Sequence, residues 1–487
     1  MTAGQSSWLS RIQFSLSGGL SPQQLALLHD ALVKILDEIG LACAHAKTVE
    51  VVTAGEGVRY EGGRLRFSPD LVNATLAQAR EAGRRWRPAT ERVRVTAPWN
   101  CFNVIDMDTD AVRATTAADC VEMLKLVASF NEGGPPPVYP CDLDERIQVL
   151  WMEKTCLARA PGFGGALVSH DPDTIRWIGA MYAATGRRYQ VGYQYVVSPL
   201  HLDEAVLNLY WLFKDDPQVT VRPSLCPIPV GGLTAPLTTS GLLAQGLAES
   251  IGGLIVAQRL GIAGPDTLPA LRVDFGDMRD LTVGYSLPEN VMLQVLLRDV
   301  AEYFCGFRKD DIYLNTNAKR PDGFTAVDRM GYLLLLGLAG FRHFHLGAGQ
   351  MSMDEIFSPA QFIIDMEIGR YVQQVLDGIT WSGDAGSITA DVAEGLAEGS
   401  FLALPSTLAM LPELFDSTLF RRSNVGQWRA AGEPTLEQVA LDRARQSIAS
   451  YHHELDPAVQ RDLDRVFGEA CRTLGVDLTT QPVPGVG

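Results

Sequence analysis

The amino-acid sequence predicts an α/β protein built as a TIM-type (β/α)8 barrel with helical additions at both ends. The main observation is an alternation of strand-like apolar runs with helix-length segments from about residue 91 to residue 390. Such an alternation indicates parallel strands, because a parallel neighbour needs a long crossover connection. A second observation is that no Gly-x-Gly-x-x-Gly segment opens a helix after the first strand, which disfavours an open dinucleotide-binding sheet.

The N-terminal segment, residues 1–90, is predicted to be helical around a small hairpin. Ser21 followed by proline has the form of a helix start, and Gly40 is expected to end that helix. A second helix begins near Ser68, again with proline in the first turn. Between the two helices, residues 58–66 read as two short strands joined across a glycine turn.

The central segment, residues 91–390, supplies the barrel. Seven runs have the composition of strands: Val138–Leu143, Phe163–Ser169, Tyr189–Val197, Val219–Pro227, Ala270–Asp277, Asp311–Asn317 and Arg342–Gly347. Helices are predicted between them: Asp144–Ala158, Asp171–Thr185, Leu202–Lys214, Thr239–Leu260, Glu289–Phe304 and Thr325–Ala339. The pattern does not place an eighth strand, and we expect it in a poorly patterned stretch.

The C-terminal segment, residues 391–487, is predicted to be helical. Pro405 and Pro412 interrupt it, and two amphipathic helices follow, Leu436–His452 and Pro457–Thr473. The sequence therefore predicts three parts, with boundaries near residues 90 and 390.

Composition excludes several classes of function. The 41 basic and 57 acidic residues give a net charge of −16, which argues against a nucleic-acid partner. The longest apolar runs, such as Tyr332 to Phe341, are about half of what a membrane span needs, and Met1 to Gly19 lacks the pattern of a secretory signal. The eight cysteines form no Cys-x-x-Cys pair. We expect a cytoplasmic protein with reduced cysteines and no membrane association.

Two motifs and several shorter matches carry a resemblance to a known family. Residues 229–238 read Pro-x-x-Gly-x-Thr-x-Pro-x-Thr, and residues 317–322 read Asn-Ala-Lys-x-Pro-Asp. Both are similar to signature segments of the trimethylamine methyltransferase (MttB) family. Residues 20–40 resemble the family's opening helix, and Pro412 begins a segment similar to its Pro-Glu-Leu-Phe-Asp. The resemblance extends from about residue 20 to residue 470.

The resemblance implies a TIM barrel and a particular methyl transfer. Family members pass a methyl group from an amine to the Co(I) of a corrinoid (cobalamin) carried by a separate small protein. Some use pyrrolysine, whose position falls at or beside Asn315 in this chain. A quaternary ammonium needs no such help, because a neutral amine leaves. The chain therefore resembles the glycine betaine branch, with a betaine-like donor, a corrinoid-protein partner and no metal bound directly.

The sixth and seventh predicted strands offer polar residues at the end where barrel sites lie. Asn315 is predicted to hydrogen-bond the substrate, and Lys319 to pair with a substrate carboxylate; the alternative is a satisfied loop network. Period-two alternation points His343 and His345 in one direction, either as site residues or as structural histidines. Catalytic roles are therefore predicted for Asn315 and His345, and substrate contacts for Asn317, Lys319, His343 and Gln350.

Other strands offer groups suited to a methylammonium cation. A carboxylate favours a cation, and an aromatic face adds about 0.5–2 kcal/mol of cation–π attraction. These considerations predict substrate contacts for Tyr193, Tyr195, Asp274, Phe275 and Asp277, with Trp99 and Phe102 as further aromatic candidates. Each aromatic residue has the alternative of an ordinary place in the core.

The glycine-containing loop after the fourth strand is the predicted corrinoid-facing loop, through Gly231, Gly232 and Thr234. Paired glycines permit close backbone approach to a flat corrin face; the alternative is a tight turn into the next helix. Two other functions stay open: methyl transfer to a folate or thiol without a corrinoid, and a non-catalytic betaine-binding barrel. We also expect a homo-oligomer.

Overall fold

The computed structural model describes residues 10–12, 16, 19–88, 91–96, 100–130, 133–134, 136–164, 169–381 and 383–478. The α-helices among these residues are α1 (Pro22–Lys34), α2 (Ala46–Thr53), α3 (Pro69–Arg85), α4 (Ala117–Ala128), α5 (Glu145–Arg159), α6 (Pro172–Ala184), α7 (Glu204–Phe213), α8 (Thr239–Arg259), α9 (Pro288–Cys305), α10 (Gly323–Leu338), α11 (Pro359–Asp377), α12 (Ala385–Glu398), α13 (Pro405–Met410), α14 (Val425–Ala430), α15 (Leu436–Ser450) and α16 (Pro457–Thr473).

The strands are short. They are β1 (Ser10–Ile12), β2 (Leu41–Ala42), β3 (Val58–Glu61), β4 (Arg64–Phe67), β5 (Arg94–Val95), β6 (Asn103–Ile105), β7 (Val112–Ala114), β8 (Tyr189–Gln194), β9 (Val196–Val197), β10 (His201–Leu202), β11 (Val219–Ser224), β12 (Val230–Gly231), β13 (Asp274–Asp277), β14 (Thr282–Val283), β15 (Asp311–Tyr313), β16 (His343–His345), β17 (Gln350–Met351), β18 (Ile356–Phe357) and β19 (Ile379–Trp381).

Parallel strand pairs separated by helices dominate the central segment. β8 pairs with β11, β12 pairs with β13, and β16 lies between β15 and β5, parallel to both. The predicted α/β class is thereby confirmed. Within the described residues the pairings do not join into one continuous ring, so closure of a TIM barrel stays a prediction.

β5 is a strand that the sequence pattern did not place. Arg94 and Val95 pair in parallel with His343 and Phe344 of β16. Two residues carry too little alternation to be recognised in isolation. β5 is therefore defined by its neighbour and not by its own composition.

The predicted strand Val138–Leu143 is wrong. Val138 makes one parallel bridge with Cys101, and the residues after it are not extended into a strand. Pro140 interrupts this run, and proline cannot donate to a strand ladder. The predicted strand Phe163–Ser169 lies partly outside the described residues, and its first residue bridges Gly134.

The predicted helices are found with boundaries shifted by a few residues at most. Local capping explains this agreement: Asp171 accepts from Thr174 N (2.8 Å) at the start of α6, and Asp203 accepts from Val206 N (3.0 Å) at the start of α7. The sequence pattern missed α4 and α11. Most residues of α11 are buried, so it lacks the amphipathic stripe by which a helix is recognised.

The helical additions pack onto the same hydrophobic core as the central strands. α15 packs against α11 and α4, and α16 packs against α5 and α6. At the other end, the predicted hairpin β3–β4 is present and joins β2, β10 and β9 in a small sheet. Among the described residues one helix, α8, is long and apolar enough to cross a membrane, and 89% of its most apolar stretch is buried within the protein.

Candidate active site

A stack of three side chains connects the central strands. The Arg272 guanidinium, two residues before β13, lies 4.9 Å from the ring centroid of Tyr313 on β15. The other neighbour of Tyr313 is His345 on β16, with ring centroids 4.2 Å apart and planes 7° from parallel. Because Tyr313 and His345 are directly opposed in the parallel ladder, their side chains emerge on the same face. The stack therefore forms one wall shared by three chain segments.

Arg272 is held at the stack by two further contacts. Its Nε lies 3.2 Å from Oδ2 of Asp274, and its Nη2 lies 3.2 Å from the hydroxyl of Tyr285. Asp274 is fully buried; burial raises the pKa of its carboxyl, and the Arg272 charge opposes that rise. Its Oδ1 has no hydrogen-bond partner among the described residues. Asp274, predicted as a substrate contact, thus lies at the site as the counter-ion of Arg272.

His343 and His345 lie side by side on β16, with ring centroids 4.2 Å apart. The pKa of His345 is lowered to about 3, mainly because the imidazole is buried and secondly because His343 lies beside it. The pKa of His343 is also lowered, mainly by burial and secondly by the charge of Arg94. Both imidazoles are therefore neutral near pH 7. Among the described residues no group of three His, Cys, Asp or Glu side chains could hold a metal ion.

Asn315 follows β15 and hydrogen-bonds a residue that the sequence did not single out. Its Nδ2 donates to Oδ1 of Asp354, and its Oδ1 accepts from Thr316 N at 2.7 Å. Ser352, Met353 and Asp354 have φ of +52°, +57° and +76°. Three successive left-handed residues other than glycine cost on the order of 1 kcal/mol each or more, and such strain persists where the surroundings impose it.

The loop that carries Asp354, residues 352–354, is anchored to the chain after β15. Ser352 N donates to Ala318 O (2.8 Å), and Met353 N donates to Thr316 O (3.1 Å). These two bonds fix the loop against the segment that carries Asn315. The position of Asp354 is consequently set by backbone pairing and not by its own side chain.

Asp354 lies in a concave, water-accessible part of the surface. The residue is exposed by area, yet burial by surrounding protein raises the pKa of its carboxyl, and the charges of Arg272 and Arg329 oppose that rise. A side chain that water reaches while protein surrounds it borders a cleft, and we call this cleft the polar cavity. Asp354 is a site residue that sequence reasoning missed, and no local signal distinguishes it from an ordinary turn aspartate.

Asn317 and Lys319 serve the alternative role of a satisfied loop network. Asn317 Oδ1 accepts from Ser286 N (2.9 Å), and its Nδ2 donates to Val283 O (3.1 Å). The exposed Lys319 donates to Asn317 O (2.7 Å). The amide of Asn317 thus ties the chain after β15 to the chain after β14, which favours the alternative of a satisfied loop network over a substrate contact.

Tyr193 and Tyr195 lie in the hydrophobic core, which is the alternative to the predicted aromatic cage. The Tyr195 hydroxyl donates to Gly253 O in the middle of α8, and the Tyr193 hydroxyl donates to Ser169 O. Both rings are buried, whereas the alternate residue Gln194 is exposed. Period-two alternation therefore turns the tyrosines towards the surrounding layer and the glutamine to the opposite face.

Three other predicted residues lie near the strand ends in supporting roles. Asp277 accepts from Arg279 N (2.8 Å) and caps a turn. Phe275 packs against the core, on the face opposite to Asp274. Gln350 is buried, with Nε2 3.6 Å from Sγ of Cys101. Of the further aromatic candidates, Trp99 lies outside the described residues, and Phe102 is exposed beside Tyr139.

The predicted corrinoid-facing loop forms a tight turn at the end of β12. Gly232 has φ of +87°, its N donates to Ala235 O (2.8 Å), and Val230 N donates to the hydroxyl of Thr234 (2.9 Å). A Cβ added at Gly232 would collide with Met278, so the loops after β12 and β13 are in contact. Gly231 pairs with Phe275. The alternative of a tight turn is therefore correct as a description of the backbone.

An apolar rim surrounds this end of the strands. We use the term for four side chains on the loops after β12 and β13 with exposed fractions of 41–65%: Leu233, Leu237, Met278 and Leu281. Isolated exposed hydrophobic residues are ordinary, but a contiguous set beside a polar cavity is typical of a binding surface.

Together, a polar cavity at the strand ends of an α/β fold and an apolar rim define a small-molecule site. The chain belongs to the trimethylamine methyltransferase (MTTB) family, whose profile matches residues 9–468. The predicted family is thereby confirmed.

Individual relatives differ in how much of the chain they match. The glycine betaine methyltransferase of Desulfitobacterium hafniense is 23% identical over 485 residues, which cover 94% of this chain and 98% of that protein. The trimethylamine methyltransferase MttB2 of Methanosarcina mazei is 25% identical over 270 residues, 52% of either protein, so this chain matches about half of its length. The crystal structure of the Methanosarcina barkeri monomethylamine methyltransferase (MtmB) aligns with 91% of this chain and 90% of that chain, at 8% identity and a TM-score of 0.43.

Proposed function

We propose that the chain removes a methyl group from a quaternary amine of the betaine type and passes it to the Co(I) of a corrinoid protein. The observation that carries the proposal is the position of Asn315. Its amide follows β15 beside charged and aromatic groups, where the family resemblance places pyrrolysine. An amide cannot activate a neutral tertiary amine covalently, and a quaternary ammonium needs no such activation because its leaving group is a neutral amine.

The residues of the chain then act by positioning the methyl donor. During transfer the C–N bond breaks and its electron pair stays on nitrogen, so no proton has to be supplied to the leaving amine. The corrinoid, when bound by its partner, supplies the nucleophile that accepts the methyl group. His343 and His345 are neutral near pH 7 and add no positive charge to compete with the donor cation. The stacked rings of Tyr313 and His345 give the donor a fixed wall.

A corrinoid-protein partner and a closed barrel are parts of the same proposal. The apolar rim lies beside the polar cavity and suits a large planar macrocycle presented by another protein. For the barrel, we propose β5 as a further strand, next to β16. We retain the division at residues 90 and 390, with the central segment as the catalytic part.

The test is methylation of Co(I) cobalamin by the purified full chain with a panel of betaines and other quaternary amines. We expect methylcobalamin, followed by its absorption spectrum, with at least one donor. Tight binding of quaternary amines without cobalamin methylation would contradict the corrinoid proposal. Methyl loss only with folate or a thiol present would favour the corrinoid-independent alternative, and binding without methyl loss to any acceptor would favour a binding protein. Tyr195→Phe, which removes a hydroxyl bonded to α8, serves as the active control.

We also propose that the chain assembles with a second copy through the surface of α12. Ile388, Val392 and Leu396 on that helix are 48%, 49% and 71% exposed and share one face at helical spacing. The charged residues of α12 are all acidic, whereas Arg421 and Arg422 lie on the exposed segment before α14. Light scattering should give a multiple of the chain mass of 53.0 kDa. Val392→Glu should reduce it, and a monomeric wild type would contradict the proposal.

A further inference from the structure

We infer that Asp354 and Arg272 are the two poles of the donor site, with Asp354 facing the quaternary ammonium and Arg272 facing a carboxylate of the same donor. The inference rests on the proposed function and assigns two residues to recognition of a zwitterion. Neither residue is marked by a sequence motif. Their roles follow from four features of the structure.

The first feature is that Arg272 and Asp354 carry opposite charges and do not form an ion pair with each other. Arg272 lies over the ring of Tyr313 on β15, and Asp354 accepts a hydrogen bond from Asn315, two residues after Tyr313. Both groups therefore lie at the same end of β15, and the Arg272 charge opposes the rise in the pKa of Asp354. Yet within the described residues Arg272 makes its ion pair with Asp274, and Asp354 makes none. Two opposite charges that border one cavity without touching leave room for a ligand with the complementary pair of charges.

The second feature is the set of free donors on Arg272. Nε is used by Asp274 and one Nη2 hydrogen by Tyr285. Nη1 has no protein partner among the described residues, and the side chain is 14% exposed. A guanidinium binds a carboxylate best through two parallel N–H bonds, and stacking on Tyr313 holds its plane fixed for such a contact. Arg272 therefore presents a preformed carboxylate site.

The third feature is the chemistry of Asp354. One oxygen accepts from Asn315, and among the described residues the other has no hydrogen-bond partner. A quaternary ammonium has no N–H group to donate, so it is held by charge and by ring faces. A water-accessible carboxylate in the same cavity as Tyr313 supplies both. The left-handed loop of residues 352–354 keeps this carboxylate in place before the donor arrives.

The fourth feature is the charge balance around the cavity. Arg272 forms an ion pair with Asp274, and Arg329 forms one with Asp365, with 3.5 Å between Nε and Oδ1. Of the three carboxylates Asp274, Asp365 and Asp354, the last makes no ion pair among the described residues. The cavity carries an excess negative charge at Asp354, which favours the cationic end of a donor there and directs its carboxylate towards Arg272.

Three ligands distinguish the role of Asp354 from that of Arg272. Glycine betaine carries both charges, choline carries the cation alone, and 3,3-dimethylbutyrate has the shape of glycine betaine with a neutral carbon in place of nitrogen. Binding to the full chain is measured by calorimetry. Asp354→Asn keeps an oxygen that accepts from Asn315 and removes the charge. It should weaken glycine betaine and choline by at least about ten-fold and leave 3,3-dimethylbutyrate unchanged or tighter.

The opposite pattern is expected at Arg272. Arg272→Gln should weaken glycine betaine and 3,3-dimethylbutyrate by at least about ten-fold and leave choline unchanged. If that variant does not fold because Asp274 loses its counter-ion, the double variant Arg272→Gln/Asp274→Asn removes the pair together and should give the same pattern. Asp277→Asn, which alters a turn-capping carboxylate near the same strand end, should change none of the three affinities.

The outcomes separate this inference from the proposed function. Equal weakening of all three ligands, or no weakening, in folded Asp354→Asn and Arg272 variants would overturn the inference, as would a wild type that binds none of the ligands. A wild type that shows the expected pattern and transfers no methyl group would support the inference and contradict the proposed function.

Discussion

The imidazole of His345 lies 4.2 Å from the phenol ring of Tyr313, and the two planes are 7° from parallel. The Arg272 guanidinium lies over the same phenol ring, with 4.9 Å between its carbon and the ring centroid. A ring between a cation and a neutral imidazole fixes the orientation of both. Changes at this stack should therefore affect catalysis more than stability.

The first prediction concerns the two rings. His345→Ala and Tyr313→Leu should each lower turnover by about ten-fold or more, because each leaves the donor without one part of its wall. Tyr313→Phe keeps the ring and should lower turnover by less than about three-fold. Turnover with saturating donor checks the prediction, and unchanged rates in both large-to-small variants would show that the stack is not at the reacting centre.

The second prediction concerns the hydrogen bond between Asn315 and Asp354. Asn315→Ala removes a donor to the carboxylate and should lower turnover by about ten-fold or more. Asn317→Ala is the matched control, since that amide joins two loops through backbone groups. It should lower the melting temperature while kcat of the folded enzyme stays within about three-fold. A larger kcat effect at Asn317 than at Asn315 would contradict the assignment.

The third prediction is a pH dependence of stability. The folded pKa values of His343 and His345 lie below the ordinary value of about 6.5, so below pH 6.5 the unfolded chain binds protons that the folded chain does not. Stability should fall as the pH drops from about 6.5 towards 3. Lys309 and Arg272 disfavour the imidazolium of His345, and the carboxylate of Asp311 favours it.

Melting temperatures measured from pH 7.5 to pH 4.5 check this prediction. The double variant His343→Asn/His345→Asn should lose less stability over that range than the wild type does, because asparagine does not titrate. Parallel curves for the two proteins would show that the histidines do not couple protonation to folding.

The fourth prediction concerns a buried ion pair behind the site. Arg329 and Asp365 are both fully buried, with Nε and Oδ1 3.5 Å apart, and Arg329 also donates to Leu346 O and Gln350 O. Arg329→Met leaves Asp365 as an uncompensated buried charge and should lower the free energy of unfolding by about 3–5 kcal/mol. Denaturant unfolding measures this. A loss in Arg329→Met/Asp365→Leu as large as in the single variant would contradict the explanation.

The fifth prediction concerns the loop after β12. Gly232 and Gly261 both have left-handed φ, of +87° and +73°. A Cβ at Gly232 would meet Met278, and one at Gly261 would meet nothing within 4 Å. Gly261→Ala should cost about 1 kcal/mol for the backbone alone. Gly232→Ala should cost more and also slow methyl transfer to cobalamin, and equal effects of the two changes would contradict a role for the loop contact.

Local sequence determined most of the helices and the family. α16 begins at Pro457 because Asp456 caps it and a proline follows, and an amphipathic pattern continues to its end. These signals lie within a few residues of one another. Alternation along β16 likewise indicated that His343 and His345 share a face. In such cases the information needed is contained in the segment itself.

Tertiary structure alone decided which of these residues meet at the site. Asp354 lies 39 residues from Asn315, and its role comes from a backbone loop paired with a distant strand end. The alternation of β8 could not reveal which of its two faces is turned to the helices, so the sequence left Tyr193 and Tyr195 between an aromatic cage and the core. A periodic pattern defines two faces of a strand, but only the packing of other segments determines which face becomes the cavity.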